Sequence, residues 1–148
     1  GTLDEQIQAQ RLLVAANLAG IVLASARSCL HHALCHVLGS RCGVAHGAAN
    51  AVMLPHVVDY NLPAASVELA MAAGALSGGR ETRPETVADS LRALRQAVRA
   101  PSRLRDLGVA AETLPDVARH ALGERGLALN PRRVAGEDEL RRLLEAAW

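Results

Sequence analysis

The sequence predicts an all-α fold: a single helical-bundle domain of about six or seven helices that spans residues 1–148. A chain of 148 residues, half of them hydrophobic, is sized to bury one core. It has no Phe, one Tyr and one Trp, so the core must be built from Ala, Leu and Val, which suits close-packed helices better than a β-sandwich. Apolar residues recur at helical spacing, and no segment alternates for long enough to indicate a strand.

The first predicted helix covers residues 2–26. Thr2 followed by Glu5 is the pattern of a capping box. The second half of this segment is apolar nearly all round, so we expect a buried helix. Its longest apolar run, LAGIVLAS, is shorter than the roughly 20 residues that cross a bilayer, and no signal peptide pattern is present. We therefore expect no membrane association.

A pair of helices joined by a short loop should follow. The second helix is predicted over about 28–40, with a stop near Gly39 and a loop over 41–45. The third should begin at His46 and run to about Tyr60, before the break at Asn61-Leu62-Pro63.

The rest of the chain also shows helical patterns. The clearest is the fifth helix, where Val87, Leu91, Leu94 and Val98 share one face and arginines occupy the other, which we interpret as a solvated surface. The remaining predicted elements are a fourth helix ending at Gly78–Gly79, a connection over 80–84, the fifth helix over 84–100, a turn over 102–108, a sixth helix over 113–122, a loop over 130–134 and a terminal helix over 136–148.

Composition excludes several classes of function. A net charge of +1 gives no electrostatic case for nucleic acid or for an anionic membrane surface. All sixteen basic residues are Arg, so lysine chemistry is absent. Cys29, Cys35 and Cys42 are odd in number and contain no CxxC, which favours buried thiols in a reducing, cytoplasmic setting. No GxGxxG or GxxxxGK[ST] motif occurs, so no nucleotide-binding element is visible.

Five of the six histidines lie between residues 29 and 56. His32 and His36 are four residues apart on one face of the second helix, and His46 follows a short loop that lets it fold back toward them. Three such imidazoles could hold Fe²⁺ or Zn²⁺ in an open coordination sphere, where the metal polarises a substrate carbonyl. Without metal, they could donate protons and hydrogen bonds to an anionic substrate.

The other histidines are expected to play lesser parts. His31 lies about 100° round the helix from His32 and should not face the same point. His56 follows His46 by ten residues, which favours a hydrogen-bonded core or cleft histidine. His120 is isolated in an amphipathic segment, so we expect it to be structural or exposed.

The stretch HHALCHVLGSRCGVAHGAANAVMLPHVVDYN resembles the signature of group III, iron-containing alcohol dehydrogenases, and most of all the maleylacetate reductase subfamily. The shared pattern is His-x-x-x-His, a Gly-containing loop, His46–Gly47, Asn50–Ala51 and Leu54–Pro55–His56. The similarity runs from about residue 10 to the end of the chain and is most specific between residues 28 and 61.

The resemblance implies a dehydroquinate synthase-like helical domain of an NAD(P)H-dependent reductase, which passes hydride to a carbonyl or an activated double bond of a small dicarboxylate. It implies that His32 and His46 are metal ligands, and that His36 lies close to the nicotinamide and the reacting carbon. His31 and His56 match positions that line the active-site cleft.

Two departures from the family pattern bear on function. The family's N-terminal Rossmann-like domain has no counterpart in these 148 residues, so NAD(P)H is expected only with that domain or with a separate nucleotide-binding chain. The family's other two metal ligands, an Asp and a His, precede the region covered here, so the ligand set is incomplete. The AHGAANA segment resembles the metal-dependent alcohol dehydrogenases, which leaves the substrate and the metal dependence open.

Three hypotheses follow. The chain is the C-terminal catalytic half of such a reductase, or a stand-alone domain with nicotinamide-independent acid/base chemistry (isomerase, cyclase or lyase), or a non-catalytic dimerisation module. We expect a homo-oligomer, because the absence of the nucleotide-binding domain should expose an apolar face of the first three helices.

Overall fold

The computed structural model describes residues 2–148 and contains no strand within them, which confirms the all-α prediction. Short 3-10 turns connect several of the helices. The α-helices are α1 (Leu3–Ala26), α2 (Leu30–Cys42), α3 (His46–Asn61), α4 (Ser66–Ser77), α5 (Thr86–Ala97), α6 (Leu114–Ala121) and α7 (Glu137–Ala147).

The start of α1 is fixed by the predicted capping box. The Glu5 backbone N–H donates to the Thr2 hydroxyl over 3.3 Å, and the Thr2 backbone N–H donates to the Glu5 carboxylate over 2.7 Å. These two bonds satisfy donors that the first turn of a helix otherwise leaves free.

The prediction that α1 is buried is wrong. None of its 24 residues is buried, and Leu12, Leu13 and Val22 are 72%, 71% and 62% exposed. By length and composition alone α1 could also cross a membrane, because it has 24 residues and contains an 18-residue window with a mean hydropathy of 1.5, which the eight-residue run LAGIVLAS did not indicate. A helix of a soluble protein and a signal sequence can both satisfy these two criteria, so the expectation of no membrane association stays a prediction. The apolar side chains of α1, which we interpreted as a sign of burial, are therefore exposed to solvent.

The hairpin of α2 and α3 follows the prediction closely, with one shift. The second helix continues past Gly39 and ends where Gly43 adopts a left-handed φ of 68° and its N–H donates to the Gly39 carbonyl over 3.1 Å. Only glycine adopts this conformation without strain, so Gly43 is the stop signal. The loop is therefore three residues long, and α3 begins at His46 as predicted.

The core lies where α2 and α3 pack against each other and against α6 and α7. Leucine and valine side chains fill it, as the composition predicted. Fully buried members include Leu30, Leu34, Leu38, Val52, Val117, Leu140 and Leu144.

The two faces of α5 differ from the prediction. Val87 is buried, but Leu94 and Val98 are 57% and 64% exposed. Arg92 and Arg95 are half-buried, and Arg92 pairs with Asp59 of α3. The arginine face is therefore turned in part toward α3, because only the first half of the apolar stripe finds a packing partner.

Candidate active site

Three imidazoles converge where α2 meets the start of α3. The His32 ring centroid lies 6.0 Å from that of His36 and 5.7 Å from that of His46. The His36 and His46 rings are stacked, with centroids 5.7 Å apart and an interplanar angle of 24°. The structure therefore brings together the three histidines that helical spacing and the short loop had grouped.

His31 occupies a different direction, as its angular separation from His32 predicts. Its Nε2 lies 3.4 Å from the Asn50 carbonyl oxygen on α3 and 3.7 Å from Cys35 Sγ. The His31 and His32 rings are nevertheless close, with centroids 5.2 Å apart in a T-shaped arrangement. His31 thus connects the cluster to the backbone of α3.

Burial lowers the pKa of His31 to about 4, and the nearby His32 and His46 lower it further, while the contact with Asn50 opposes the shift. At neutral pH this imidazole is therefore uncharged. A neutral, half-buried ring suits a positioning role and does not suit proton donation at pH 7. Burial also lowers the pKa of His32, helped by His46 and His36. The neutral imidazole is the form that binds metals.

His36 is open to solvent, with a side chain 51% exposed, and His46 is exposed as well. It lines a cavity of about 360 Å³ together with Glu124 and Arg125. The nearest Glu124 carboxylate oxygen lies 3.9 Å from His36 Nδ1, within ion-pair range and too far for a direct hydrogen bond. A small substrate in this cavity would meet the His36 imidazole, the Arg125 side chain and the Glu124 carboxylate.

The wall of this cavity depends on a close backbone approach. A Cβ atom added to Gly126 would lie 2.7 Å from the Ser28 carbonyl oxygen and 3.4 Å from Cys29 Cα. The 3-10 turn Arg125–Leu129 can thus approach the segment between α1 and α2 only because residue 126 is glycine.

The donor set for a metal is incomplete in this chain. No group of three His, Cys, Asp or Glu side chains among residues 2–148 is arranged to hold an ion. His32 and His46 supply imidazole nitrogens from one side, and the carboxylate nearest the cluster, Glu124, approaches only His36. The described residues thus do not form a complete site for Fe²⁺ or Zn²⁺.

The structure does not bring His56 to the cluster. Ten residues of α-helix place it about 15 Å along α3 from His46. It lies instead beside Arg92 and Arg95, where burial lowers its pKa, the two guanidinium groups add to the shift and Asp59 opposes it. His120 is exposed, as predicted, and its Nδ1 lies 2.8 Å from the Asp116 carbonyl oxygen.

Sequence reasoning missed two groups of residues near these histidines. Glu124 and Arg125 lie far from the histidine motif in the sequence and reach His36 through the turn after α6. The partly buried arginines of α5 were interpreted as a solvated face. No local pattern signals either group, because both depend on how distant segments pack.

Comparison with known proteins identifies the fold and the histidine motif together. The model of the Fe-containing alcohol dehydrogenase family, C-terminal, matches residues 3–148. The chain belongs to this family. The predicted resemblance is therefore confirmed.

Individual relatives agree with the family match. The chain is 41% identical to maleylacetate reductase 2 of Cupriavidus pinatubonensis over 93% of its length, and 33% identical to 1,3-propanediol dehydrogenase of Citrobacter freundii over 94%. It spans 37% of the length of each of these relatives. Among solved structures, an alcohol dehydrogenase from Oenococcus oeni superimposes with a TM-score of 0.79 at 28% identity, over 88% of this chain and 35% of that one.

Proposed function

We propose that the chain is the C-terminal catalytic half of an NAD(P)H-dependent reductase that acts on a small carbonyl or dicarboxylate substrate, as a maleylacetate reductase does. The convergence of His32, His36 and His46 beside a cavity, in a chain that belongs to an oxidoreductase family, supports this proposal. The identity with maleylacetate reductase 2 favours a dicarboxylate substrate.

Three side chains would have separate roles in the reaction. His36, exposed at the cavity edge, would lie closest to the nicotinamide and the reacting carbon, and it would donate a hydrogen bond or proton to the oxygen on which charge develops. Arg125 would hold a substrate carboxylate. His31, neutral and bonded to α3, would fix the orientation of the cluster.

Other parts of the enzyme would lie outside these residues. NAD(P)H would be bound by an N-terminal domain or a separate nucleotide-binding chain. His32 and His46 would contribute two ligands to Fe²⁺ or Zn²⁺, and the remaining ligands would come from the same missing part. We propose a cytoplasmic homo-oligomer as the working form.

A chimera tests the proposal. This chain would replace the matching C-terminal region of maleylacetate reductase 2 from Cupriavidus pinatubonensis, and NADH oxidation would be followed by absorbance with maleylacetate as the substrate. We expect turnover that His36→Ala reduces by about a hundredfold or more. His120→Ala, which removes an exposed imidazole away from the cluster, is the matched control and should leave the rate unchanged.

Measurements on the chimera and on the chain alone distinguish the three hypotheses. A folded chimera that binds NADH and reduces neither maleylacetate nor a simple aldehyde would overturn the reductase proposal. If the chain alone converts a small anion without nicotinamide, and His36→Ala abolishes that conversion, the acid/base alternative is correct. If His32, His36 and His46 can all be changed with no loss of any activity, the domain is a non-catalytic module.

A further inference from the structure

A second group of charged side chains lies at the other end of α3, where α5 and the loop after it meet the end of α7. His56, Arg92, Arg95, Arg103 and Trp148 line a cavity of about 410 Å³ there. Arg92 and Arg95 also line an adjoining cavity of about 600 Å³ together with Arg99. Four arginines thus border two neighbouring cavities.

The acids nearby do not balance these charges. Arg92 is compensated, because it pairs with Asp59 and, over 2.8 Å, with Asp89. Glu145 is the one acidic residue that lines the smaller cavity. Of the four arginines at these cavities, Arg95, Arg99 and Arg103 form no ion pair within residues 2–148.

Arg95 carries the strongest indication of a ligand. Its Nη1 atom is buried and has no hydrogen-bond acceptor, and it is the one such side-chain nitrogen or oxygen in the described part of the chain. A buried donor of this kind costs free energy unless an acceptor reaches it. Burial and the neighbouring Arg92 also lower the pKa of Arg95, so the protein itself disfavours the charge at this position.

We propose that Arg95, Arg99, Arg103 and His56 form a binding site for a phosphate group, either free inorganic phosphate or the phosphate of a small metabolite. A guanidinium presents two parallel N–H donors that match two phosphate oxygens. Phosphate carries a charge of about −1.5 to −2 at neutral pH. Because Asp59 and Asp89 compensate Arg92, this charge would balance the excess of Arg95, Arg99 and Arg103 over Glu145. A cavity of this volume accepts a phosphate with a small organic group attached.

This site is independent of the proposed reductase activity. His56 is about 15 Å along α3 from His46, and no member of the histidine cluster lines either cavity. Loss of the phosphate site therefore leaves the chemistry at His36 untouched, and failure of one proposal does not decide the other.

Isothermal titration calorimetry of the chain with inorganic phosphate tests the site. Chloride should be used to hold the ionic strength constant, because screening alone changes weak electrostatic binding. We expect saturable binding of one phosphate per chain, weakened about tenfold or more by Arg95→Gln. Arg80→Gln removes the same charge from an exposed residue that lines neither cavity, so it should leave the affinity unchanged.

Two more titrations identify the source and the chemistry. Glycerol 3-phosphate binding more tightly than inorganic phosphate would assign the site to a phosphorylated metabolite, and the reverse order would assign it to the free ion. Binding of succinate without binding of phosphate would overturn the proposal. So would the absence of phosphate binding at about 10 mM, or equal affinity in the wild type and Arg95→Gln.

Thermal unfolding supplies a second, independent measurement. In buffer free of polyvalent anions, Arg95→Gln should raise the Tm, because it removes a half-buried charge that repels Arg92. Added phosphate should then raise the Tm of the wild type more than that of Arg95→Gln at the same concentration. A wild type whose Tm does not respond to phosphate would contradict the proposal.

Discussion

Tyr60 is the chain's single tyrosine, so its ionisation can be observed directly. The hydroxyl is buried against α7 and donates to the Arg133 carbonyl over 3.2 Å. Burial raises the pKa of Tyr60 to about 12, Glu139 adds to the shift, and Arg132 opposes it. The folded state therefore holds the phenolic proton more tightly than the unfolded chain does.

We predict that tyrosinate absorbance rises with a midpoint near pH 12 in the folded protein and near pH 10 in urea. Because the folded state binds more protons between these values, the free energy of unfolding should fall by about 2 to 3 kcal/mol as pH rises from 10 to 12. Glu139→Gln should lower the midpoint, whereas Asp138→Asn, an exposed acid in the same turn, should not. A folded protein that titrates at pH 10 would contradict this account.

Gly126 is the second residue whose environment makes a sharp prediction. The atoms that an added Cβ would meet belong to the backbone of Ser28 and Cys29, which cannot move as a flexible side chain would. We expect Gly126→Ala to lower the free energy of unfolding by about 1 to 3 kcal/mol in urea titrations. Gly47→Ala places its methyl group in open space on α3 and is the matched control. Equal stability of the two variants would show that the turn can move away from Ser28 and Cys29.

At the scale of the helices, local patterns predicted where elements begin and end more reliably than what covers them. The start of α1 at Thr2 and the start of α3 at His46 were predicted from local signals, and the end of α2 was placed near Gly39, four residues before the Gly43 cap. Burial depends on the rest of the molecule. The apolar surface of α1 and the arginine face of α5 were therefore both assigned to the wrong environment.

The exposure of α1 predicts self-association of the isolated chain. Its large apolar side chains extend around the helix, and contiguous surfaces of this kind are rarely left in water. We expect dimers or larger species by size-exclusion chromatography with light scattering, and a shift toward monomer when Leu12 and Val22 are both changed to Glu. The pair Leu94→Glu and Leu129→Glu changes exposed apolar residues outside α1 and should have no such effect. A wild-type chain that stays monomeric at high concentration would contradict the prediction.

At the scale of the whole molecule, the sequence predicted the histidine cluster, because spacing along one helix and a short loop determine where His32, His36 and His46 lie. Helical periodicity predicted the all-α class, and the resemblance of residues 31–61 to a known signature predicted the family. It could not predict that Glu124 and Arg125 reach His36, or that His56 lies beside the arginines of α5. Those neighbours come from segments some 35 to 90 residues away, and only the packing of α3 against α5 and of α2 against α6 brings them close.

The incomplete set of metal ligands predicts that the isolated chain retains little metal. Three imidazoles neutralise none of the charge of a divalent cation, and no group of three suitable ligands is arranged to hold one within residues 2–148. After dialysis, the untagged chain should retain less than about a tenth of an equivalent of iron or zinc by elemental analysis. The chimera with maleylacetate reductase 2 should retain more, and His32→Ala should reduce that content, because His32 would complete the ligand set there. Stoichiometric metal in the chain alone would mean that the cluster closes around the ion with ligands that the present geometry keeps apart.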